Sequence, residues 1–270
     1  MAQTDRALLI GISDYEGKAP RLDSPEREIE EWRDLLIEEY GFQYGDIRLL
    51  ANDRARRDEI LHRLEWLFGD AQPNDRRVLY LAGHGVRIRR RDTRGEILDG
   101  LDEAFLAHPS ALTDDVETMA IFDDELFAVY AGSSAAAARV TWILDCCHGG
   151  GFNSQDMPRQ PRVMSVTPPV DLRHRSFDHQ FPRRNGLSDR GVQMPVIVNA
   201  AGELNLSIEL VLGGERRSLF SFYALEMLRK EPKITYRRLI EQLRAIIDPQ
   251  YPQHTNVRGD RRRQDASFLQ

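Results

Sequence analysis

Residues 140–150, which read VTWILDCCHGG, decide the predicted fold of this chain. An apolar run of this kind is typical of a buried parallel strand, and here it ends in an acid, two cysteines, a histidine and two glycines. Residues 77–85, RVLYLAGHG, show the same pattern, an apolar run followed by His84 between two glycines. Ligands bind outside the carboxyl ends of strands in an open parallel sheet, so two such neighbouring strands would bring His84 and a cysteine to one edge.

The rest of the chain alternates apolar strands with amphipathic helices. Strands are also predicted at residues 7–12, 46–50 and 194–201, with short ones near 206–210 and 266–269. Helices are predicted after the capping residues Ser24, Asp53 and Thr235, and from residue 218. This alternation predicts an α/β fold with a mostly parallel central sheet of about six strands, flanked by helices.

Composition narrows the class of protein. The chain has 270 residues and a formal net charge of −6, which gives no bulk electrostatic support for a nucleic-acid partner. It lacks the roughly 18-residue apolar run of a membrane span, and its first residues do not read as a signal peptide. Two adjacent cysteines favour a reducing compartment and exclude a cysteine-based zinc cluster. We therefore expect a cytoplasmic protein with neither a membrane nor a nucleic-acid partner.

A thiol beside an imidazole is a nucleophile with its base. Cys147 stands where the strand gives way to glycines, whereas Cys146, inside the strand, reads as packing. The N–H groups of Gly85 and Cys147 are candidates for an oxyanion hole, which would suit acyl transfer such as amide hydrolysis. A metal site using His84, Cys147 and His148 remains an alternative, although no further ligand set is evident.

These motifs resemble those of the caspase-like peptidases, in particular the metacaspases and their bacterial relatives, the orthocaspases. Residues 80–85 (YLAGHG) and 144–150 (LDCCHGG) resemble the histidine and cysteine motifs of that family. Further similar stretches follow in the family's order at residues 7–12, 99–103, 121–126 and 199–209. Departures occur at Ala82, Gly149 and Pro25, where the family often has Ser, Ser and Cys.

The resemblance implies a caspase-like fold, with Cys147 as nucleophile and His84 as base. It also implies a large catalytic part over residues 1–150, an inter-subunit linker over 151–191 and a small part over 192–270. Such enzymes often cut themselves in the linker, which here is rich in Pro, Arg and Ser. The candidate self-cleavage residues are Arg159, Arg162, Arg173, Arg175, Arg183, Arg184 and Arg190.

The substrate specificity of the predicted peptidase depends on the charge of its binding pocket. A pocket for arginine or lysine needs a buried carboxylate, because a guanidinium pairs with a carboxylate in a bidentate fork. Asp145 lies two residues before Cys147, and in metacaspases the acid at this position lines that pocket. Glu28 stands where the family often places a second pocket acid, and Ala82 is a further candidate for substrate contact. We therefore predict cleavage of protein or peptide substrates after Arg or Lys. The alternative for Asp145 is a structural carboxylate at a strand end.

The chemistry needs no cofactor, but the resemblance makes calcium a candidate. Asp99, Asp123 and Asp124 match three acidic positions of the family's calcium cluster, while the fourth position reads Ser154. Two other functions stay open: a catalytically silent regulatory module of the caspase fold, or another thiol hydrolase such as an amidase or thioesterase. A regulatory protein partner is compatible with the chain, and the sequence does not indicate its pathway.

Overall fold

The computed structural model describes residues 3–88, 102–111, 116–146, 160–161, 194–202 and 205–270. In chain order the strands of these ranges are β1 (Arg6–Gly11), β2 (Ile47–Ala51), β3 (Arg76–Gly83), β4 (Gly85–Ile88), β5 (Asp102–Leu106), β6 (Ala120–Phe122), β7 (Arg139–Cys146), β8 (Gln160–Pro161), β9 (Val196–Asn199), β10 (Ile208–Leu212), β11 (Glu215–Ser218) and β12 (Asn256–Arg258). The helices are α1 (Pro25–Glu38), α2 (Arg57–Phe68), α3 (Val116–Met119), α4 (Asp123–Ala131), α5 (Leu219–Lys230), α6 (Tyr236–Ile247) and α7 (Arg261–Gln264). Within the described residues, no helix is long and apolar enough to cross a membrane.

The central sheet has six strands in the described ranges, in the order β12-β9-β7-β3-β1-β2. Every neighbouring pair is parallel except β9 and β12, which run antiparallel. This confirms the predicted mostly parallel sheet of about six strands. Strands β9 and β12 follow the predicted linker in sequence and pair beside β7, so residues on both sides of the linker build one sheet.

Each face of the sheet buries its own apolar cluster. One cluster packs α2 and α4 against the sheet, and the other packs α1, α5 and α6 against the opposite face. Side chains alternate between the faces of a strand. On β7, Trp142, Leu144 and Cys146 therefore join the first cluster, whereas Ile143 joins the second. By the same alternation, Asp145 lies on the face of Ile143, which α1 and α5 cover.

Two small sheets stand beside the central one. Strands β4, β5 and β6 form an antiparallel sheet, and β4 begins directly after His84. Strands β10 and β11 form a hairpin, and β8 pairs with the other side of β10. The strand predicted near 206–210 therefore exists, at Ile208–Leu212, but belongs to this small sheet and not to the central one.

The last predicted strand, near 266–269, was wrong. The final strand in the described part is Asn256–Arg258, while Phe268 and Leu269 are buried as core side chains. The Phe268 ring lies 4.9 Å from the ring of Tyr236 and 6.4 Å from that of Trp32, measured between centroids. Leu269 has φ = 57°, which no strand residue adopts. An apolar run can thus mark a buried chain end as well as a strand.

Of two predicted helix caps, Asp53 was wrong, and Ser24 stands at the predicted position without a side-chain capping bond. The helix predicted after Asp53 begins at Arg57, and Asp53 lies in a short 3₁₀ turn. Ser24 does precede α1, but its hydroxyl makes no capping bond to the helix backbone. It donates to the Glu209 carboxylate at 2.6 Å instead. A distant acid therefore takes the hydrogen bond that the local sequence assigned to the helix.

Candidate active site

His84 follows β3 directly and is fully buried. Its backbone N–H donates to the Tyr15 hydroxyl at 2.9 Å, and the two rings lie 5.0 Å apart between centroids. A Cβ atom added to Gly83 would come within 2.6 Å of the same hydroxyl. Glycine before the histidine therefore lets Tyr15 approach the backbone and hold the ring in place.

A backbone carbonyl sets the tautomer of the His84 ring. Its Nε2 lies 2.7 Å from the carbonyl oxygen of Pro20. A carbonyl oxygen can only accept a hydrogen bond, so Nε2 carries the proton in this contact. In the neutral imidazole Nδ1 is then the basic nitrogen, and the Pro20 carbonyl would stabilise the imidazolium once Nδ1 takes up a proton. Pro20 thus orients the histidine without a side-chain contact.

Asp145 lies on the strand next to His84. In the ladder between β3 and β7 it pairs with Ala82, two residues before His84. The Asp145 side chain is fully buried, and hydroxyl groups hold both of its oxygens. The Ser207 hydroxyl donates to Oδ1 at 2.8 Å, and the Ser221 hydroxyl donates to Oδ2 at 2.6 Å. Both serines come from the chain beyond the predicted linker.

Glu28 reaches the same place from α1. The Tyr80 hydroxyl donates to Glu28 Oε2 at 3.1 Å and lies 2.9 Å from the Ser221 hydroxyl and 3.5 Å from Asp145 Oδ2. The backbone N–H of Ser218, at the start of α5, donates to Glu28 Oε1 at 3.0 Å. We call the set Asp145, Glu28, Tyr80, Ser207 and Ser221 the acid cradle. Residues from four separate elements and one loop meet in it.

A third buried acid fixes the helix that carries Glu28. Glu209, in β10, accepts hydrogen bonds from the Ser24 hydroxyl at 2.6 Å and from the backbone N–H groups of Ser24 and Asp23 at 3.2 and 3.1 Å. A carboxylate at the N-terminus of a helix is also favoured by the helix dipole. Glu209 therefore ties the start of α1 to the strand that follows Ser207.

The structure describes only part of the site predicted from sequence. It brings Asp145, Glu28 and Ala82 together, and the Ala82 carbonyl accepts from the backbone of Ile12 at 2.9 Å. Gly85 begins β4, immediately after His84. Cys146 is buried in the core. Outside the described residues lie Cys147, His148, Asp99 and the candidate self-cleavage residues Arg159, Arg162, Arg173, Arg175, Arg183, Arg184 and Arg190.

The calcium prediction is only partly covered by the described residues. Asp123 is buried at the start of α4, and Asp124 follows it in the same helix. Among the residues that the structure describes, no group of three or more His, Cys, Asp or Glu side chains could hold a metal ion. Since the Asp99 and Asp124 side chains fall outside that description, calcium binding stays a prediction.

Sequence reasoning missed several residues that position the site. Tyr15 and Pro20 lie between β1 and α1, where no sequence motif marked them. Ser221 lies in α5, a helix predicted from its apolar periodicity. That periodicity does not indicate that Ser221 would bond Asp145. Tyr80 did carry a signal: it is the only hydroxyl-bearing side chain between Val78 and Ala82 in an otherwise aliphatic strand.

Comparison with known proteins gives a consistent result. Residues 5–155 match the family model of the metacaspase, peptidase C14 domain. The chain is 23% identical to Metacaspase-1 of Schizosaccharomyces pombe over 288 residues, and 25% identical to Metacaspase-1B of Aspergillus fumigatus over 283 residues. Each alignment covers 92% of this chain, but only 65% and 67% of the respective relative. The chain thus spans about two thirds of the length of these relatives.

Solved structures show the same fold. Protein GSU0716 from Geobacter sulfurreducens superimposes with a TM-score of 0.68 at 18% identity, and the match covers 98% of both chains. Caspase-1 from Spodoptera frugiperda superimposes with a TM-score of 0.56 at 12% identity, over 95% of this chain and 88% of that one. At such low identity these matches concern the fold alone, and they confirm the predicted caspase-like architecture.

Proposed function

The chain belongs to the metacaspase family of cysteine-type peptidases, the peptidase C14 domain, and from that premise we propose that it hydrolyses peptide bonds after Arg or Lys with a Cys147–His84 dyad. The relatives named above are fungal, so the bacterial-type branch stays a prediction.

The acid cradle carries this proposal. Asp145 and Glu28 are 0% and 2% exposed, and both reach the hydroxyl of Tyr80. In the described contacts, hydroxyl groups and the backbone N–H of Ser218 orient these two carboxylates. Two carboxylates so oriented suit a guanidinium or ammonium group, which gains charge-assisted hydrogen bonds on entering. Such a pocket disfavours an acidic substrate residue by like-charge repulsion.

The position of Asp145 in the sequence places this charge close to the chemistry. Asp145 is separated from Cys147 by one residue, and two residues of extended chain span at most about 7 Å. The extended side chain of Arg or Lys has a comparable reach, so it can approach the cradle while its own carbonyl carbon meets the nucleophile. Because the nucleophile Cys147 and the acid that would bind the basic side chain, Asp145, are two residues apart, cleavage directly after the basic residue is favoured.

The first chemical step would form an acyl-enzyme. The Cys147 thiolate attacks the carbonyl carbon of the Arg or Lys residue, and the N–H groups of Cys147 and Gly85 are the candidate donors to the developing oxyanion. His84 Nδ1, protonated by the thiol, passes its proton to the departing amine. The Pro20 carbonyl holds Nε2–H throughout, which keeps Nδ1 directed to this transfer.

Water completes the cycle. His84 accepts a proton from a water molecule as the water oxygen attacks the thioester carbon. The carbon–sulfur bond breaks, the product leaves with a carboxylate, and Cys147 is again a thiol. The balance is one water consumed and one peptide bond hydrolysed. No metal takes part in these steps, and calcium enters the proposal as a regulator.

Short peptides that end in Arg, Lys or Asp before a fluorogenic amine test the proposal directly. We expect turnover of the Arg and Lys peptides, none of the Asp peptide, and none of any peptide by Cys147→Ala. Each assay is run with millimolar calcium and with chelator, which also tests calcium dependence. Absence of turnover under both conditions would favour the catalytically silent module, and turnover of the Asp peptide would contradict the role of the cradle.

A further inference from the structure

A cleft of about 310 Å³ lies at the amino ends of the central strands, whereas His84 and Asp145 lie at the carboxyl ends. Strand β7 runs over eight residues, from Arg139 at the cleft to Cys146 beside Asp145. Since a strand rises about 3.3 Å per residue, the cleft and the acid cradle are roughly 20 Å apart. The cleft has the volume of a small-molecule site and is separate from the candidate active site.

Three arginines from three different elements line this cleft. Arg76 begins β3 and Arg139 begins β7, and the two stand directly opposite each other in the parallel ladder. Arg263, in α7, donates to the Val140 carbonyl at 3.2 Å and to the Met194 carbonyl at 2.9 Å. Its guanidinium therefore lies beside the amino ends of β7 and β9. We call this cavity, with Arg76, Arg139 and Arg263 in its wall, the arginine cleft.

Of these three arginines, Arg76 alone has an acidic partner within the described part of the chain. Its Nε donates to Asp5 Oδ2 at 2.9 Å. The Arg139 guanidinium contacts a neutral amide oxygen, that of Asn74, at 3.5 Å, and the Arg263 guanidinium contacts the two backbone carbonyls named above. A guanidinium bonded to neutral groups keeps its full charge. Two of the three arginines therefore carry a positive charge that no described carboxylate balances.

The other groups around the cleft leave positive charge in excess. Gln270 also lines the cleft and, as the last residue of the sequence, adds at most one carboxylate. Burial raises the pKa of Tyr236, a further lining residue, and hydrogen bonds and the charges of Arg263 and Arg76 oppose that rise. The positive potential thus reaches the Tyr236 hydroxyl. Because Arg76 and Arg139 carry like charges at paired ladder positions, an anion bound between them would relieve their repulsion.

We propose that the arginine cleft binds a small organic anion that carries a phosphate or carboxylate group on a partly apolar body. Guanidinium groups hold both kinds of oxyanion through paired, charge-assisted hydrogen bonds. The volume of the cleft limits the ligand to the size of a metabolite. Apolar side chains that would contact the body of such a ligand are those of Pro73, Ala137, Val196 and Leu269.

Isothermal titration calorimetry of the full-length protein tests this inference. The probe is phenyl phosphate, which joins a phosphate group to an apolar ring, and phenol is the uncharged control. All titrations are made at one ionic strength, so that general screening of surface charge stays constant. We expect one phenyl phosphate site per chain with a Kd of about 1 mM or lower, and no saturable binding of phenol.

Three arginine variants locate the site. Arg139→Gln removes a charge from an exposed position and should weaken phenyl phosphate binding about tenfold, as loss of one hydrogen bond between charged groups does. Arg263→Gln should weaken it at least as much. Since Arg263 also bonds two carbonyl groups, circular dichroism and Tm establish that this variant is folded. Arg262→Gln is the matched control from the same helix, because Arg262 is exposed and lies outside the lining. It should keep Kd within about twofold.

Several results would overturn the inference. Absence of saturable phenyl phosphate binding up to about 10 mM would mean that the cleft is not an anion site. Equal binding of phenol would make it an apolar pocket. Equal weakening in Arg262→Gln and Arg139→Gln would attribute binding to general surface charge, and unchanged binding in both Arg139→Gln and Arg263→Gln would place the anion elsewhere. None of these readouts depends on peptidase turnover, so the inference and the proposed function are tested separately.

Discussion

Acidic side chains stand at both ends of the central strands, but they have different partners. At the amino end, Arg76 contacts Asp5 and Arg77 contacts Asp75, the second pair at 3.2 Å and almost fully buried. At the carboxyl end, the described partners of Asp145 are the hydroxyls of Ser207, Ser221 and Tyr80. Among the described contacts, the acids at the amino end pair with arginine, whereas hydroxyl groups orient Asp145 at the carboxyl end.

This difference in partners suggests that the acids at the amino end serve stability and those at the carboxyl end serve substrate recognition. An arginine beside a carboxylate cancels its charge, so the pair contributes to folding and has little left for a ligand. Neutral hydroxyl donors fix the direction of the carboxylate oxygens and leave their charge available to an incoming cation. Substitutions at the carboxyl end should therefore change catalysis, whereas matched substitutions at the amino end should change the free energy of unfolding.

The largest effect is expected at the two cysteines. Cys147→Ala should lower kcat/KM for Arg peptides by at least about 10³-fold, because the nucleophile is lost. Cys146→Ala removes a buried sulfur beside Leu144 and should lower stability by about 1 kcal/mol while keeping most of the turnover. Peptide assays measure kcat/KM of both variants, and thermal unfolding measures their stability. Equal loss of activity in the two would show that the dyad was assigned to the wrong thiol.

The second largest effect comes from comparing an acid of the cradle with an acid at the amino end of the strands. Asp145→Asn should lower kcat/KM for Arg peptides by about 10²-fold, since breaking a buried ion pair costs at least about 3 kcal/mol. Asp75→Asn, the matched control, should leave kcat/KM within about twofold and lower Tm, because it removes a partner of Arg77. Full activity in Asp145→Asn would make that acid a structural strand-end group.

A smaller effect is expected from the group that orients Asp145. Ser221→Ala removes one hydroxyl donor to the carboxylate, worth about 1 kcal/mol, and should lower kcat/KM about fivefold. Ser221→Thr keeps the hydroxyl and should recover part of the loss. Rates with Arg and Lys peptides, compared at several substrate concentrations, separate KM from kcat. A drop in Tm with unchanged kinetics in Ser221→Ala would reduce the residue to a packing role.

The smallest effect on activity is expected at Asp5. Burial raises the pKa of Asp5, but hydrogen bonds and the charge of Arg76 outweigh it and hold that pKa below its ordinary value of 3.8. A lowered folded pKa contributes stability above about pH 3.8 that is lost as pH falls through the folded pKa. Asp5→Asn should thus lower Tm at pH 7, and the gap to wild type should narrow as pH falls below about 3.8. A gap that stays constant between pH 7 and the lowest pH at which wild type remains folded would contradict this cause.

The parts of the fold that are predictable from sequence rest on local patterns. The runs at 78–82 and 140–144 are apolar except for Thr141, as is typical of strands covered on both faces, and they indicated a parallel sheet. The errors arose where the partners are distant in sequence. The Ser24 hydroxyl was expected to cap its own helix. It bonds Glu209 instead, which is 185 residues away and cannot be found from a local pattern. Phe268 was assigned to a strand because burial of a chain end produces the same apolar pattern.

The sequence by itself predicted the chemistry proposed for this chain: a thiol and an imidazole after two apolar runs, with an acid two residues before the thiol. Residue type and strand periodicity suffice for that, because both are local. The tertiary structure decided how the acid is held and what surrounds it. Ser207 and Ser221 reach Asp145 only because strands and helices from beyond the linker fold back onto the sheet, and no local pattern records such a contact. The pairing of β8 with β10 is equally non-local.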